Sequence, residues 1–340
     1  GDGIDQDCDG ADLAGDRSAS GTVFHDLEGD GDLTGDLGTA GVLVDVWLDG
    51  GDGIPDGVDD TLLDTLTTDA DGNWSVSGLV DGSQYWIAAR SGTFVGPRNA
   101  GFGINDLWAE QTYASAGGLC DDGTGNGAEL ATAGACYGGR TVGTSDGPSG
   151  LGIAQHIHAV AMGSADVSGI DTGFAFNVIT HVGDGDDLAG NRSSQGSLRQ
   201  ALQNANALTG GVDIRFVPGV PATNSNGGAE WWSIAPTSAL PEISDDDTVL
   251  DGAAWCDGRT CPAGDLRNAN DLTLGSDRPV GVGPDLVPDS GDEYLIASWD
   301  APELELDGAD IELSSASELT GIALYRSELF VSGDFAVVSD

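Results

Sequence analysis

The residues with the most chemistry in them lie in DLEGDGDLTGD, positions 26–36. Asp26, Glu28, Asp30 and Asp32 recur at every second position, and Asp36 follows. Carboxylates on a tight turn suit a hard divalent cation, because Ca²⁺ takes about six to eight oxygen ligands. Gly29 and Gly31 permit the sharp backbone such a turn needs. Two carboxylates ~5 Å apart repel by about 3 kcal/mol at an effective dielectric of about 20. Four or five in one turn would therefore force it open without a counter-cation, and the spacing predicts a calcium loop with these five acids as ligands.

Two further clusters have the same composition with weaker spacing. Asp49, Asp52, Asp56, Asp59 and Asp60 fall in DGGDGIPDGVDD, where a cation site and a solvated loop fit equally well. The opening GDGIDQDCDGADLAGD offers Asp2, Asp5, Asp7, Asp9 and Asp12 on the same terms. Asp69 and Asp71 in TDADGNW read as a hairpin turn.

These loops belong to a strongly acidic chain. Of 340 residues 57 are acidic and 11 basic, a formal charge of −46, and every basic residue is Arg. A polyanion of this kind has cations as partners rather than nucleic-acid phosphates or anionic lipid. Asp supplies 46 of the acids, 16 of them within the first 60 residues. Salt adaptation alone would spread acids evenly and raise Glu on helices, although the two explanations are compatible. The five cysteines (Cys8, Cys120, Cys136, Cys256, Cys261) lack zinc-site spacing and suit an oxidising compartment. Cys120 with Cys136 and Cys256 with Cys261 are the local pairs, leaving Cys8 odd. The sequence has no signal peptide, transmembrane stretch or initiator Met, and residue 1 falls inside an Asp-Gly motif, so the natural N-terminus is expected to lie upstream.

The elements that position these loops read as strands. GVLVDVWLD alternates, with Val42, Val44, Val46 and Leu48 on one face and Leu43, Asp45, Trp47 and Asp49 on the other. The same period recurs in WSVSGL, QYWIAAR and GIDTGFAFNV, where Ile170, Thr172, Phe174, Phe176 and Val178 share a face. Residues 21–178 are thus expected to form a β-sandwich, with a long irregular insertion at about 97–150 closed by Cys120–Cys136. Residues 1–20 are an Asp-rich linker or ion-dependent segment. From 179 to 340 one helix stands out, at about 197–207: Leu198, Ala201, Leu202 and Ala205 form a stripe, and Ser197 with Gln200 makes a capping box. Short β pieces with Asp-Gly corners follow it, as in a solenoid of parallel coils whose first coil the helix caps. The last of them, FAVVSD, still reads as strand, so the solenoid is expected to be unfinished there. The fold class is all-β.

GTVFHDLEGDGDLTGDLGTAGVLVDVWLD followed by TDADGNWSVSGLVDGSQYWIAAR resembles the B-type calcium-binding β-sandwich repeats of serine-aspartate-repeat bacterial surface adhesins. Those repeats usually carry Asn where Glu28 stands, and their last acid comes one residue later than Asp36. GSLRQALQNAN and ALPEISDDDTVLDG resemble the capping helix and first coils of right-handed parallel β-helix domains of large bacterial surface proteins. The opening resembles a bacterial Asp-rich repeat regarded as metal-binding, with Gly1 in place of its first Cys. Asp52 to Asp56 resemble thrombospondin-type calcium segments, with Gly50 replacing one Asp. The resemblances imply a calcium-stabilised, non-catalytic structural or adhesive protein, secreted to the cell surface. Its partners would be divalent cations and a host or matrix protein or glycan, or further copies through an open β-helix end. Many B-type sandwiches carry a Lys isopeptide cross-link, which a chain without Lys cannot form.

Catalytic signals are weak. GTSDG at 143–147 matches the form of a nucleophile elbow around Ser145, but neither the strand before it nor the helix after it is present. His156 and His158 alternate without a third metal ligand. Two rivals remain: a β-helix polysaccharide lyase or glycoside hydrolase using an Arg as base, for which Arg326 is the candidate, and a glycan-binding module using Trp231 and Trp232.

Overall fold

The computed structural model describes residues 17–121, 133–185, 194–226, 229–258, 302–313 and 316–332. It also describes residue 266 and the backbone of short strands at 128–130, 273–274, 278–280, 294–296, 299–300 and 337–339. The chain is all-β. Among the described residues no helix is long and apolar enough to cross a membrane.

The first unit is built from β1 (Arg17–His25), β2 (Leu37–Gly38), β3 (Leu43–Leu48), β4 (Thr61–Thr67), β5 (Asn73–Leu79), β6 (Gln84–Ala89), β7 (Glu110–Ala114), β8 (Leu119–Asp121), β9 (Ala128–Leu130), β10 (Gly134–Ala135), β11 (Ile157–Ala161) and β12 (Thr172–Ala175). One sheet runs β10-β7-β12-β1-β2, with β5 also paired to β1; the other runs β11-β6-β3-β4. β1 serves three partners, β5 antiparallel over Arg17–Thr22, then β12 parallel over Val23–His25 and β2 antiparallel at Phe24–His25. Ala19 and Val23 of one sheet meet Val44, Val46, Ile87 and Ala89 of the other in one apolar cluster with Trp74 and Phe174. Alternation placed these residues correctly: Val42, Val44 and Val46 are all fully buried. The opposite face holds an exception. Asp45 is buried because Arg90 grips both its oxygens, at 2.7 and 2.8 Å.

The stretch 97–150, expected to be an irregular insertion, supplies a central strand. β7 lies between β10 and β12. Its sequence EQTYA carries no apolar alternation, because Glu110, Gln111 and Thr112 are buried polar residues. Leu119 of this stretch, with Leu151, Ala154 and Ile157 just beyond it, packs against Trp86 and Ala88 on the outer face of β6.

The second unit holds β13 (Val178–Ile179), the helix α1 (Leu198–Ala207), β14 (Asp213–Phe216), β15 (Asn224–Asn226), β16 (Ala229–Ile234), β17 (Val249–Ala254), β18 (Thr273–Leu274), β19 (Arg278–Val280), β20 (Tyr294–Ile296), β21 (Trp299–Asp300), β22 (Leu304–Asp307), β23 (Ile311–Leu313), β24 (Glu318–Thr320), β25 (Ile322–Tyr325), β26 (Leu329–Val331) and β27 (Val337–Ser339). Three ladders are parallel: β13-β14-β17-β24-β27 on one side, β16-β22-β25 on a second, and β23-β26 on a third, extended by a parallel bridge from Ile243 to Leu313. The pairs β15-β16, β18-β21 and β19-β20 are antiparallel. Leu304 pairs with Ile322 and Ile311 with Leu329, a repeat of 18 residues on two sides. Ile214, Phe216, Trp232, Ile234, Leu250, Leu304, Leu306 and Ile311 fill the space between the ladders.

GIDTGFAFNV, expected to be one strand, divides. β12 ends at Ala175, and Val178 opens the first parallel ladder. Ile170, Phe174 and Phe176 stay in the first core while Val178 joins another cluster, so the two units meet at Asn177. Helix α1 fastens this junction. Ser197 accepts from the Gln200 N–H at 3.1 Å as expected, but the Gln200 amide turns to Asn204 (2.9 Å), so only half of the capping box forms. Leu198, Ala201, Leu202 and Ala205 enter the second core, and Ala207 and Leu208 enter the first. Asn204 donates to the carbonyls of Trp108 (2.9 Å) and Phe176 (2.8 Å), and Asn99 reaches those of Asn206 and Leu208.

Candidate metal centre

The 26–36 loop leaves the end of β1 and returns through β2, the edge strand of the first sheet. Asp26, fully buried, organises it. One carboxylate oxygen accepts from Gly29 N (2.7 Å) and Asp30 N (3.2 Å), the other from Gly31 N (2.9 Å). Both glycines have positive φ, +67° and +72°. A Cβ on Gly29 would fall 2.7 Å from Val178 Cγ1, and one on Gly31 would fall 2.8 Å from Ala135 Cβ. The turn is therefore pressed against the first ladder of the second unit and against β10. Tyr137 donates its hydroxyl to the Gly29 carbonyl at 2.9 Å; burial, then the nearby Asp26 and Asp30, holds this phenol protonated.

Asp26, Glu28 and Asp36 each offer a carboxylate oxygen within 4.8 Å of the others. Asp36 accepts from Leu27 N at 3.3 Å through one oxygen, while the other is buried without a partner. Burial first, then the charges of Asp26, Glu28 and Asp30, pushes the Asp36 carboxyl up to about 6, against the pull of the Leu27 N–H. Burial likewise raises Asp26. Asp30 and Asp32 stand apart from this trio. Asp30 Oδ1 accepts from Asp32 N (2.9 Å) and Asp32 Oδ1 from Thr34 N (2.7 Å), so both carboxylates shape the turn.

In the second loop Asp56, Asp59 and Asp60 come together, and Asp49 and Asp52 lie outside that group. Asp49 accepts from Gly51 N and Gly53 N, and Asp52 from Ile54 N. Asp56 and Asp59 are exposed and Asp60 half-buried. Gly50 has a steric reason to stand where another acid is the pattern: a Cβ there would lie 2.2 Å from Asp59 Cγ. Arg140 donates to the Pro55 carbonyl at 3.0 Å and ties this loop to the 139–142 turn. Asp2, Asp5, Asp7 and Asp9, with Cys8, lie outside the described residues.

Cys120 and Cys136 form a disulfide, joining β8 to the segment after β10. Cys256 is also disulfide-bonded; Cys261 lies outside the described residues. Ser145 accepts from Gln195 N at 3.2 Å. His156, the base such a serine would need, contacts Gln111 (2.8 Å) and Gln195 (3.1 Å) through its two ring nitrogens. Burial depresses the pKa of His156 and of His158, the latter to about 4. Neither enters a converging group of metal-ligating side chains among the described residues. Arg326 holds Asp307 through three contacts of 2.5 to 2.8 Å, and Trp232 is fully buried in the second core.

Two residues of the centre went unread in the sequence: Tyr137, on the Gly29 carbonyl, and Asn177, which donates to the Leu27 carbonyl at 3.3 Å. They lie 108 and 150 residues from their loop partners, and no local pattern marks either. No protein-family model matches this chain, and no curated protein matches it either.

Proposed function

We propose that the chain is a non-catalytic extracellular module of a surface protein, structural or adhesive, whose first unit is a B-type sandwich stabilised by Ca²⁺ in the 26–36 loop. In this reading the second unit is the start of a right-handed parallel β-helix that extends the module as a stalk. The parallel ladders and their 18-residue repeat support that architecture.

The observation that carries the function is the convergence of Asp26, Glu28 and Asp36 in a partly buried loop, with one Asp36 oxygen buried and unpaired. Like charges held this close call for a cation, and an all-oxygen donor set favours Ca²⁺ over softer metals. Mg²⁺ demands tighter octahedral geometry and gives up its water reluctantly. Calcium here acts structurally, neutralising the loop that connects β1 to β2. The enzyme rival needs an unprotonated Arg at neutral pH; Arg326, with its pKa raised further by hydrogen bonds and charge from Asp307, is poorly suited to that role.

Calorimetric titration of chelator-treated protein with Ca²⁺ tests the proposal. Saturable binding that Asp26→Asn and Asp36→Asn remove supports it. Absence of binding at millimolar Ca²⁺ overturns it.

A further inference from the structure

Asn177 stands where the chain leaves the first unit for the parallel ladder, and its side chain is 3% exposed. Its Nδ2 donates to the Leu27 carbonyl in the acidic loop at 3.3 Å and to the Asp213 carbonyl at the start of β14 at 2.9 Å. Only the amide nitrogen can donate, so the two carbonyls fix the orientation of the group. Oδ1 is thereby turned away from both, buried and without a hydrogen-bond partner. A buried amide oxygen is costly to leave unpaired and calls for an explanation. This one lies against the loop, since a Cβ on Gly29 would stand 2.9 Å from it. Asn177 and Glu28 line the same cleft of about 440 Å³, bordered by the 208–213 turn and by Asp247.

We propose that the cation of the 26–36 loop takes Asn177 Oδ1 as a ligand from outside the loop, so that a single ion ties the first unit to the parallel ladder. The inference rests on reading that loop as a cation site. Amide oxygens serve Ca²⁺ beside carboxylates. Asp26, Glu28 and Asp36 are three ligands where Ca²⁺ takes about six to eight, so a further oxygen helps to complete the shell. Through the bond from Asn177 to Asp213, loading the ion also orders the 208–213 turn.

Calcium titration of the whole chain, comparing wild type with Asn177→Ala and Asn177→Asp, separates a ligand from a hydrogen-bond donor. Ala removes both roles; Asp keeps the oxygen and loses the donors. The expected result is at least tenfold weaker Ca²⁺ binding for Asn177→Ala and undiminished binding for Asn177→Asp. Added Ca²⁺ should also slow amide exchange at 208–216 in wild type but not in Asn177→Asp, which binds the ion yet lacks the donor to the Asp213 carbonyl. If Asn177→Ala does not fold, Asn177→Asp carries the test: loss of binding in that variant would show that the donors alone matter. Wild-type affinity in Asn177→Ala, alongside lost binding in Asp36→Asn, would overturn this inference and leave the loop reading intact. No binding in wild type would overturn both.

Discussion

The two acidic loops of the first unit have nearly the same composition and opposite environments. In the 26–36 loop Asp26 is fully buried, and the turn is roofed by Tyr137, Asn177 and Val178. In the 49–60 loop Asp56 and Asp59 face solvent, and of the trio they form with Asp60 only Asp60 keeps a buried, unpartnered oxygen as Asp36 does. The loop touches the body through Arg140 and the 151–152 backbone. Water and salt screen the second set of charges, while burial leaves the first set with each other. Asp content does not separate the two; what covers the carboxylates does.

The rest of the molecule shows two other ways to keep a buried carboxylate. Asp184 is bound by Arg199, both 3% exposed, and despite burial this arginine with the Thr237 N–H brings its pKa below the ordinary value. Glu110 has no cation beside it among the described residues, and burial pushes its pKa to about 8, so it keeps its proton at neutral pH. Asp184 is neutralised by a guanidinium and Glu110 by a proton. The 26–36 trio has neither beside it among the described residues, and of the two converging acidic sets it is the more buried candidate for a metal.

The sharpest test of this contrast is to remove the arginine. Arg199→Ala should destabilise the second unit by about 3–5 kcal/mol, because it strands the Asp184 charge; denaturant unfolding measures it. A loss below about 1 kcal/mol would mean that water reaches Asp184 and that the burial contrast is overstated.

Glu110 comes next. The unfolded chain releases this proton near pH 4.5 and the fold near pH 8, so Glu110 costs stability increasingly between those values. By pH 7 the cost is on the order of 3 kcal/mol. Glu110→Gln should therefore unfold at higher denaturant than wild type at pH 7–8 and at the same denaturant at pH 4.5. Parallel pH profiles for the two proteins would show that Glu110 is ionised in the fold.

Metal removal is third. A site loaded at a hundred times its dissociation constant adds about 2.7 kcal/mol. Chelation should then lower the melting temperature by roughly 5–10 °C for a unit of this size. Asp26→Ala should abolish the response, and Asp30→Ala should weaken it less, since Asp30 lies outside the converging trio. An unchanged melt with chelator would reduce the two loops to one kind.

The smallest expected effect belongs to the second loop. Asp56→Ala should change stability by no more than about 0.5 kcal/mol and leave the calcium response intact. A large loss here would make the exposed loop the working site and reverse the comparison.

Local pattern carried much of the fold. Period-two alternation found Val42, Val44 and Val46 as core, and the Ser197 cap with its Leu198–Ala205 stripe found α1. It failed where burial is polar. EQTYA does not read as a central strand, because its buried side chains are met by distant partners, Thr180 for Glu110 and His156 for Gln111. It failed again at Asn177, where one run of alternating residues crosses from one core to the next.

For this protein, then, the sequence by itself determined the all-β class, the helix and the acid-rich turns, because strand alternation, helix capping and Asp-Gly turns act within a few residues. The tertiary structure decided which acids converge and which of them are shielded from water. That choice depends on Tyr137 and Asn177, far along the chain from the loop they cover. A carboxylate's need for a cation is set by desolvation and by neighbouring charge, and both arise only when separate segments pack together.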